Sequence, residues 1–262
     1  MKANNNLWHS DDSARAFWDQ HQAIPYQELL EDTIRKAAPK AGEHWLDLGC
    51  GGGQLAAGLF RATSGEIGSV VAADCAQANS QAIAKWRSRL GLNDQPERFS
   101  FQVADLSHGL PGFADESFHG VVAGLCLSYA EHTDPETGRH TDKAFRGIFR
   151  EIRRVLKPGG RLVFSINVPD PNFWKIFWKS VWPPRRWGKP FRLLQNNWEM
   201  QRVGRWLKAE AKKGRFHYLP IDKLTPLLVD AGFPNVECQL SYADQAYLIR
   251  LVKPTGAGVS AA

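Results

Sequence analysis

The 262-residue chain has little cysteine and less methionine, four residues and two. Cys50, Cys75, Cys126 and Cys238 are scattered, with no C-x-x-C pair. That spacing argues against a disulfide framework and a structural zinc site, and it suits a reducing compartment. No bound metal is expected. No apolar run approaches the roughly 20 residues of a membrane-spanning helix. The opening MKANNNLWHS is polar and unlike a secretory signal. There is no internal repeat, and a chain of this length can bury a full core as one domain. A cytoplasmic globular protein is expected.

What is present centres on residues 45–53, WLDLGCGGG. A short apolar run (Trp45, Leu46, Leu48) leads into glycines at 49, 51, 52 and 53, with Asp47 just before them. The run reads as a buried strand, and glycines let backbone turn tightly and approach a ligand closely. Residues 54–60 have helical spacing. Strand, glycine loop and helix form the nucleotide-binding opening of a Rossmann-type sheet. The dinucleotide fingerprint G-x-G-x-x-G/A fails at Gln54, whereas D-x-G-x-G-x-G is met by Asp47, Gly49, Gly51 and Gly53. A pyrophosphate favours a helix N-terminus without an acid beside it. The acid here suits a ligand with a positive group.

Later segments keep the same order. Residues 69–74, SVVAAD, form a second strand ending in Asp74, where an acid accepts hydrogen bonds from ribose hydroxyls. Residues 99–103 alternate like a strand and precede Asp105 and Leu106. Residues 115–122, DESFHGVV, lead into a fourth strand. Phe145, Ile148, Phe149, Ile152, Val155 and Leu156 make a helical stripe that stops at Lys157-Pro158-Gly159-Gly160, and a fifth strand is expected over 161–166. A further helix is expected over 221–233, then an antiparallel pair over 235–241 and 245–252.

These ordered motifs resemble class I S-adenosyl-L-methionine (SAM) methyltransferases over about residues 40–168 and 216–253. The resemblance implies a Rossmann-like α/β fold, with a seven-stranded, mainly parallel sheet and an antiparallel last strand. It implies SAM as cofactor and places the binding positions at Asp47, Gly49, Cys50, Gly51, Gly53, Asp74, Cys75, Asp105, Leu106 and Leu125. Within these, Asp105 would accept from the adenine amino group and the Leu106 amide would face the ring. Small buried thiols remain the bland reading of Cys50 and Cys75. His119 stands where the family has a second aspartate, a departure expected to matter only structurally. The methyltransferase domain would span 1–253, with a helical lid over 1–39 and a flexible tail over 254–262. One lid helix is expected after the cap Ser10-Asp-Asp-Ser and another from Pro25 to Ala38. Phe17, Trp18 and Tyr26 are candidates to approach the methionine end of SAM, or simply to pack on the sheet.

Residues 168–216 depart from a minimal methyltransferase. They hold six of the ten tryptophans and carry a net +9, against +6 for the whole chain and −3 for the remainder. Trp174, Trp178 and Trp182 recur every four residues, with Phe173, Phe177 and Val181 alongside and Lys175 and Lys179 on an adjacent line. That is an amphipathic helix with an aromatic face, ending before Pro183-Pro184. Three readings stay open: a substrate cap, an interfacial helix using 173–187 against acidic lipid, and a nucleic-acid surface. Nucleic-acid chemistry loses ground elsewhere. Gly124-Leu-Cys-Leu-Ser-Tyr129 lacks the Asn/Asp-Pro-Pro-aromatic tetrad of amino-nitrogen methylation, and Cys126 reads as core rather than nucleophile.

Placement supplies much of the rate of methyl transfer, and some acceptors need a base. Tyr129, Glu131, His132, Asp134 and His140 are candidates, as are His217 and Tyr218. His132 and His217 are the expected catalytic positions, because imidazole titrates near neutrality. The alternative for all of them is a solvated polar loop. The sequence thus points to SAM-dependent methyl transfer onto a small-molecule or lipid-like acceptor. Protein or RNA methylation is the alternative, and a non-catalytic SAM-fold protein binding a membrane or a partner is a third reading.

Overall fold

The computed structural model describes residues 23–181 and 202–255. Helix α1 (Ile24–Ala37) begins with Pro25 in its first turn and buries Pro25, Leu29, Thr33 and Ala37, one residue per turn. The first strand, β1 (His44–Leu48), is buried along all but its first residue. It reads as a continuous apolar run because both faces of a parallel sheet are covered. The chain then alternates through α2 (Gln54–Ala62), β2 (Ser69–Asp74), α3 (Asn79–Arg89), β3 (Phe99–Val103) and β4 (Phe118–Gly124). A small hairpin, β5 (His132–Thr133) and β6 (His140–Thr141), precedes α4 (Lys143–Val155) and β7 (Leu156–Asn167). After α5 (Phe173–Val181) come α6 over 202–212, α7 (Ile221–Asp230), β8 (Val236–Ser241) and β9 (Ala246–Val252).

Seven strands form one sheet in the order β3-β2-β1-β4-β7-β9-β8. β9 runs antiparallel to both its neighbours, and the other pairings are parallel. The chain winds outward one way from β1 through β2 and β3, then the other way from β4. A ligand crevice forms at the carboxyl ends of the strands where winding reverses, here between β1 and β4.

Two apolar layers flank the sheet. One joins Leu46, Val121 and Phe164 to Phe145, Phe149 and Ile152 of α4 and to Leu224 and Leu228 of α7. The other joins Trp45, Val70 and Phe99 to Leu59 and Phe60 of α2 and Ile83 of α3. The expected stripe of α4 is buried from Phe145 to Val155.

The structure corrects the sequence reading in three places. Strand β7 begins at Leu156, so Lys157–Gly160 lies inside the strand rather than between helix and strand. Its pairing skips from Phe118↔Leu156 to Gly120↔Arg161, a register irregularity that absorbs the proline and glycines. Cys126 packs against the core as expected, but just beyond the end of β4 rather than within an apolar strand, and its thiol donates to the Leu48 carbonyl at 3.1 Å. On α5 the packed residue is Ile176 (0% exposed) with Phe173 beside it, while Trp174 (51%) and Trp178 (62%) face outward. The expected helix after Ser10, with Phe17 and Trp18, and Trp182, Trp187 and Trp198 lie outside the described residues. No helix among the described residues is long and apolar enough to cross a membrane.

Candidate active site

The glycine loop is fixed by what it touches. The Cys50 amide donates to the Ala73 carbonyl at 3.1 Å and ties the loop to β2. Gly49 has φ of +62°, and a Cβ there would sit 2.4 Å from that of Cys126. Gly53, at φ +75°, leaves the same small space against Ile83 of α3. A side chain at either position meets both a steric and a backbone penalty.

The three acids expected at the cofactor site have different surroundings. Asp74 accepts from the Gly51 amide at 2.9 Å and from the Ala76 amide at 3.0 Å. Asp105 accepts from the Ser107 amide at 2.9 Å, which caps a short turn beginning at Leu106, and pairs with His108 at 3.2 Å. Leu106 packs partly buried against the core. Asp47 differs from the other two. It is 1% exposed, its Oδ2 accepts from the Ala56 amide at 3.0 Å, and its Oδ1 is buried without a partner. Burial pushes its carboxyl up to about 8. The Ala56 hydrogen bond opposes that rise and the charge of Asp74 adds to it. Burial likewise raises the thiol of Cys50, and that of Cys75 to about 12, so both stay protonated near neutrality. Leu125 closes the group at the end of β4. Its φ is +55°, and its amide donates to both the carbonyl and the hydroxyl of Ser165.

Near this loop tyrosines cluster with apolar side chains. Tyr26 of α1 and Tyr242 of the β8–β9 turn meet edge to face at 6.2 Å, and they cluster with Leu125, Phe173 and Ile176. Burial, Tyr242 and the charge of Asp47 all raise the Tyr26 hydroxyl, which places Tyr26 on the Asp47 side of this cluster. On the other side the Tyr129 and Tyr218 hydroxyls are 3.0 Å apart, and the Asn167 amide donates to Tyr129 at 3.4 Å. Phe216 stands edge-on to Tyr129 at 5.0 Å. Asn167 and Tyr242 were not singled out from sequence.

The side chains of the expected histidines meet other partners than this pair. His132 lies in β5, with Nδ1 2.7 Å from the Thr141 hydroxyl of β6. His140 pairs with Thr133 across the same hairpin, whose turn Asp134 caps by accepting from the Thr137 amide at 2.8 Å. His217 is buried and stacks on Phe145 of α4 at 4.8 Å, and its Nε2 has no partner. Burial lowers its basicity. Glu131 is ion-paired with Arg215, which also meets Glu210 at 3.3 Å. His119 sits at the opposite, amino-terminal edge of the sheet, where its Nδ1 accepts from the His44 amide at 3.0 Å. It replaces the family's acid with a neutral acceptor.

A buried carboxylate oxygen without a partner, beside an open glycine loop, suits a ligand whose cationic group replaces the lost water. Residues 46–164 match the model of a methyltransferase domain. A demethylmenaquinone methyltransferase from Clavibacter sepedonicus is 36% identical over 234 residues, covering 86% of this chain and 79% of that protein. The chain belongs to the class I SAM-dependent methyltransferases. The methyltransferase GfsG of Streptomyces halstedii is 34% identical over 140 residues, 53% of this chain and 43% of that protein. The match thus spans about half or less of some curated relatives. A SAM-dependent methyltransferase structure from Methanococcus maripaludis superposes with a TM-score of 0.60 at 19% identity, covering 96% of each chain, and so shares the fold. SAM is the methyl donor that membership of this family implies.

Proposed function

We propose that this methyltransferase acts on a small or lipid-like acceptor held between α1, α5 and the β8–β9 turn. The observation that carries this reading is a cavity of about 590 Å³ there, lined by Glu28, Asn172, Trp174, Trp178, Leu240 and Tyr242. An apolar cleft with a few converging polar groups is the usual shape of a small-molecule site. The name of the Clavibacter sepedonicus relative, a demethylmenaquinone methyltransferase, agrees with an acceptor of that kind.

The residues would divide the work as follows. Oδ1 of Asp47 faces the cofactor's ammonium group, and the backbone of Gly49, Cys50, Gly51 and Gly53 lies against its methionine portion. Asp74 takes the ribose hydroxyls. Asp105, Leu106 and Cys75 border the adenine, and Leu125 closes the methyl end. SAM supplies an electrophilic methyl group on a sulfonium. Leu240, Tyr242 and their neighbours hold the acceptor. Of the two histidines considered as bases, His217 is the nearer in sequence to the Tyr129–Tyr218 pair, and Tyr218 adjoins it directly.

The test is to incubate the protein and methyl-labelled SAM with an extract of its own cells, then fractionate. Label is expected in organic-extractable small molecules. Label confined to protein or RNA would sink the reading. No SAM binding by calorimetry, with no effect of Asp74→Ala, would favour a non-catalytic protein.

We further propose that α5 meets an anionic lipid surface. Exposed Trp174 and Trp178 sit beside exposed Lys175 and Lys179, and the surrounding segment carries the chain's positive charge. Trp178→Glu is expected to weaken sedimentation with anionic vesicles by removing the fraction that salt does not screen. Unchanged sedimentation would leave α5 a cap and nothing more.

A further inference from the structure

Residues 51–53 are consecutive glycines, the kind of backbone with most freedom to lose on folding. Contacts from outside the run have to hold it in one shape if it is to meet a ligand without first being ordered. The Gly51 amide is held by Asp74 at 2.9 Å. The Gly53 amide donates to the Cys50 carbonyl at 2.8 Å. The Gly52 carbonyl belongs to the same peptide group as that amide, and it accepts from the indole Nε1 of Trp86 at 2.8 Å. The Gly52–Gly53 peptide plane is therefore engaged at both ends and cannot flip without breaking two hydrogen bonds. The indole also borders the space that Gly53 leaves, since a Cβ there would lie 3.1 Å from Trp86 Cδ1.

Trp86 is itself held in place. It belongs to α3, and the Arg89 guanidinium of that helix lies 5.2 Å from its ring centroid. Arg61 of α2 lies 5.0 Å from the same ring. Both are within cation–π range. Helix α2 starts directly after the glycine loop, whereas α3 follows β2. The one indole thus joins the loop to both helices. It stands 34 residues from Gly52, so the loop motif itself does not announce it.

We infer that Trp86 is a positioning residue for the cofactor loop. Its N–H sets the Gly52–Gly53 peptide in the orientation that receives the methionine portion of SAM. This rests on the placement of that portion against the glycines in the reading above. No contact with a reacting atom is assigned to Trp86, so its effect falls on donor affinity and not on the methyl-transfer step. A loop without this latch has to be ordered as the donor binds, and that cost is read as weaker binding.

The probe is S-adenosylhomocysteine, titrated by calorimetry into the full chain. Trp86→Phe keeps an aromatic ring beside Arg61 and Arg89 but has no N–H to donate. It is expected to weaken binding about three- to tenfold, the effect of one lost neutral hydrogen bond, with thermal stability close to wild type. Hydrogen–deuterium exchange supplies a second readout. In the free variant, peptides covering 49–54 should exchange severalfold faster, while those covering β4 and α4 keep the wild-type rate. Saturating S-adenosylhomocysteine should remove most of that difference. A merely structural role would instead speed exchange throughout α3 and β2 and lower stability, with no selective change at the glycines. In the wild type, which needs no variant to fold, the Trp86 indole N–H resonance should shift when S-adenosylhomocysteine is added. Unchanged affinity and exchange in Trp86→Phe, or an indole resonance indifferent to the ligand, would overturn the role. Failure of the wild type to bind S-adenosylhomocysteine overturns the cofactor placement and the latch together. Binding that Asp74→Ala abolishes and Trp86→Phe leaves intact overturns the latch alone.

Discussion

Asp47 shows how one side chain can link folding, pH and cofactor. Its carboxyl holds its proton up to about pH 8 in the folded protein, because burial opposes the charge. An unfolded aspartate ionises near 3.9. Between those values the unfolded state binds fewer protons, so stability falls as pH rises through that window. Asp47→Asn removes this loss, and at pH 9 the free variant is expected to melt several degrees above wild type. SAM has the opposite requirement, since its ammonium group favours the carboxylate. Binding at pH 6.5–7 should therefore release protons. Titration calorimetry in two buffers of different ionisation heat checks this: a buffer-independent enthalpy would show that Asp47 does not ionise on binding. Asp47, Asp74 and Asp105 were legible in the sequence because each lies at a strand end, a fixed step from the glycine loop. Asn167 was not legible. Its partner Tyr129 is 38 residues away, and Tyr218 lies 89 residues beyond Tyr129. No local spacing announces a contact made by strand order.

At the scale of elements, α5 separates periodicity from burial. Trp174 and Trp178 do lie on one helix, from Phe173 to Val181. Apolar residues occupy more than one line of it, so the pattern did not decide which line faces the protein. The contact with α1 and the β8–β9 turn admits Ile176, fully buried among Leu29, Tyr242 and Ala246. The bulkier Trp174 and Trp178 are left outside, and the Lys179–Glu28 ion pair at 2.6 Å clips the helix to α1. Ile176→Ala is expected to cost about 2–4 kcal/mol in urea unfolding. Trp174→Ala should change stability by no more than about 0.5 kcal/mol. Equal losses would mean that the tryptophan line is buried after all. The same limit explains β7. Pro158 with Gly159 and Gly160 normally ends an element, yet the sheet tolerates them as an irregularity beside Phe118 and Gly120.

The whole molecule divides its charge by function. The α/β fold that binds the donor sums to about neutral or slightly acidic, while residues 168–216 carry a net +9. A uniform basic surface would bind any polyanion from any side. On the proposal that α5 meets an acidic lipid surface, this distribution would favour one orientation there, with α5 down. Such attraction acts over about 10 Å at 0.1 M salt and weakens above that. The protein is expected to sediment with vesicles containing anionic lipid at about 50 mM salt and to lose most of that binding at about 500 mM. The residual fraction belongs to the rings, which salt does not screen, and Trp178→Glu should remove it. Equal binding to neutral vesicles, unaffected by salt, would refute the electrostatic orientation. If instead the salt-sensitive component is lost only when residues 168–216 are neutralised, the insertion alone directs the enzyme to the surface. A lipid-like acceptor could then enter the cleft between α1 and α5 without first crossing water.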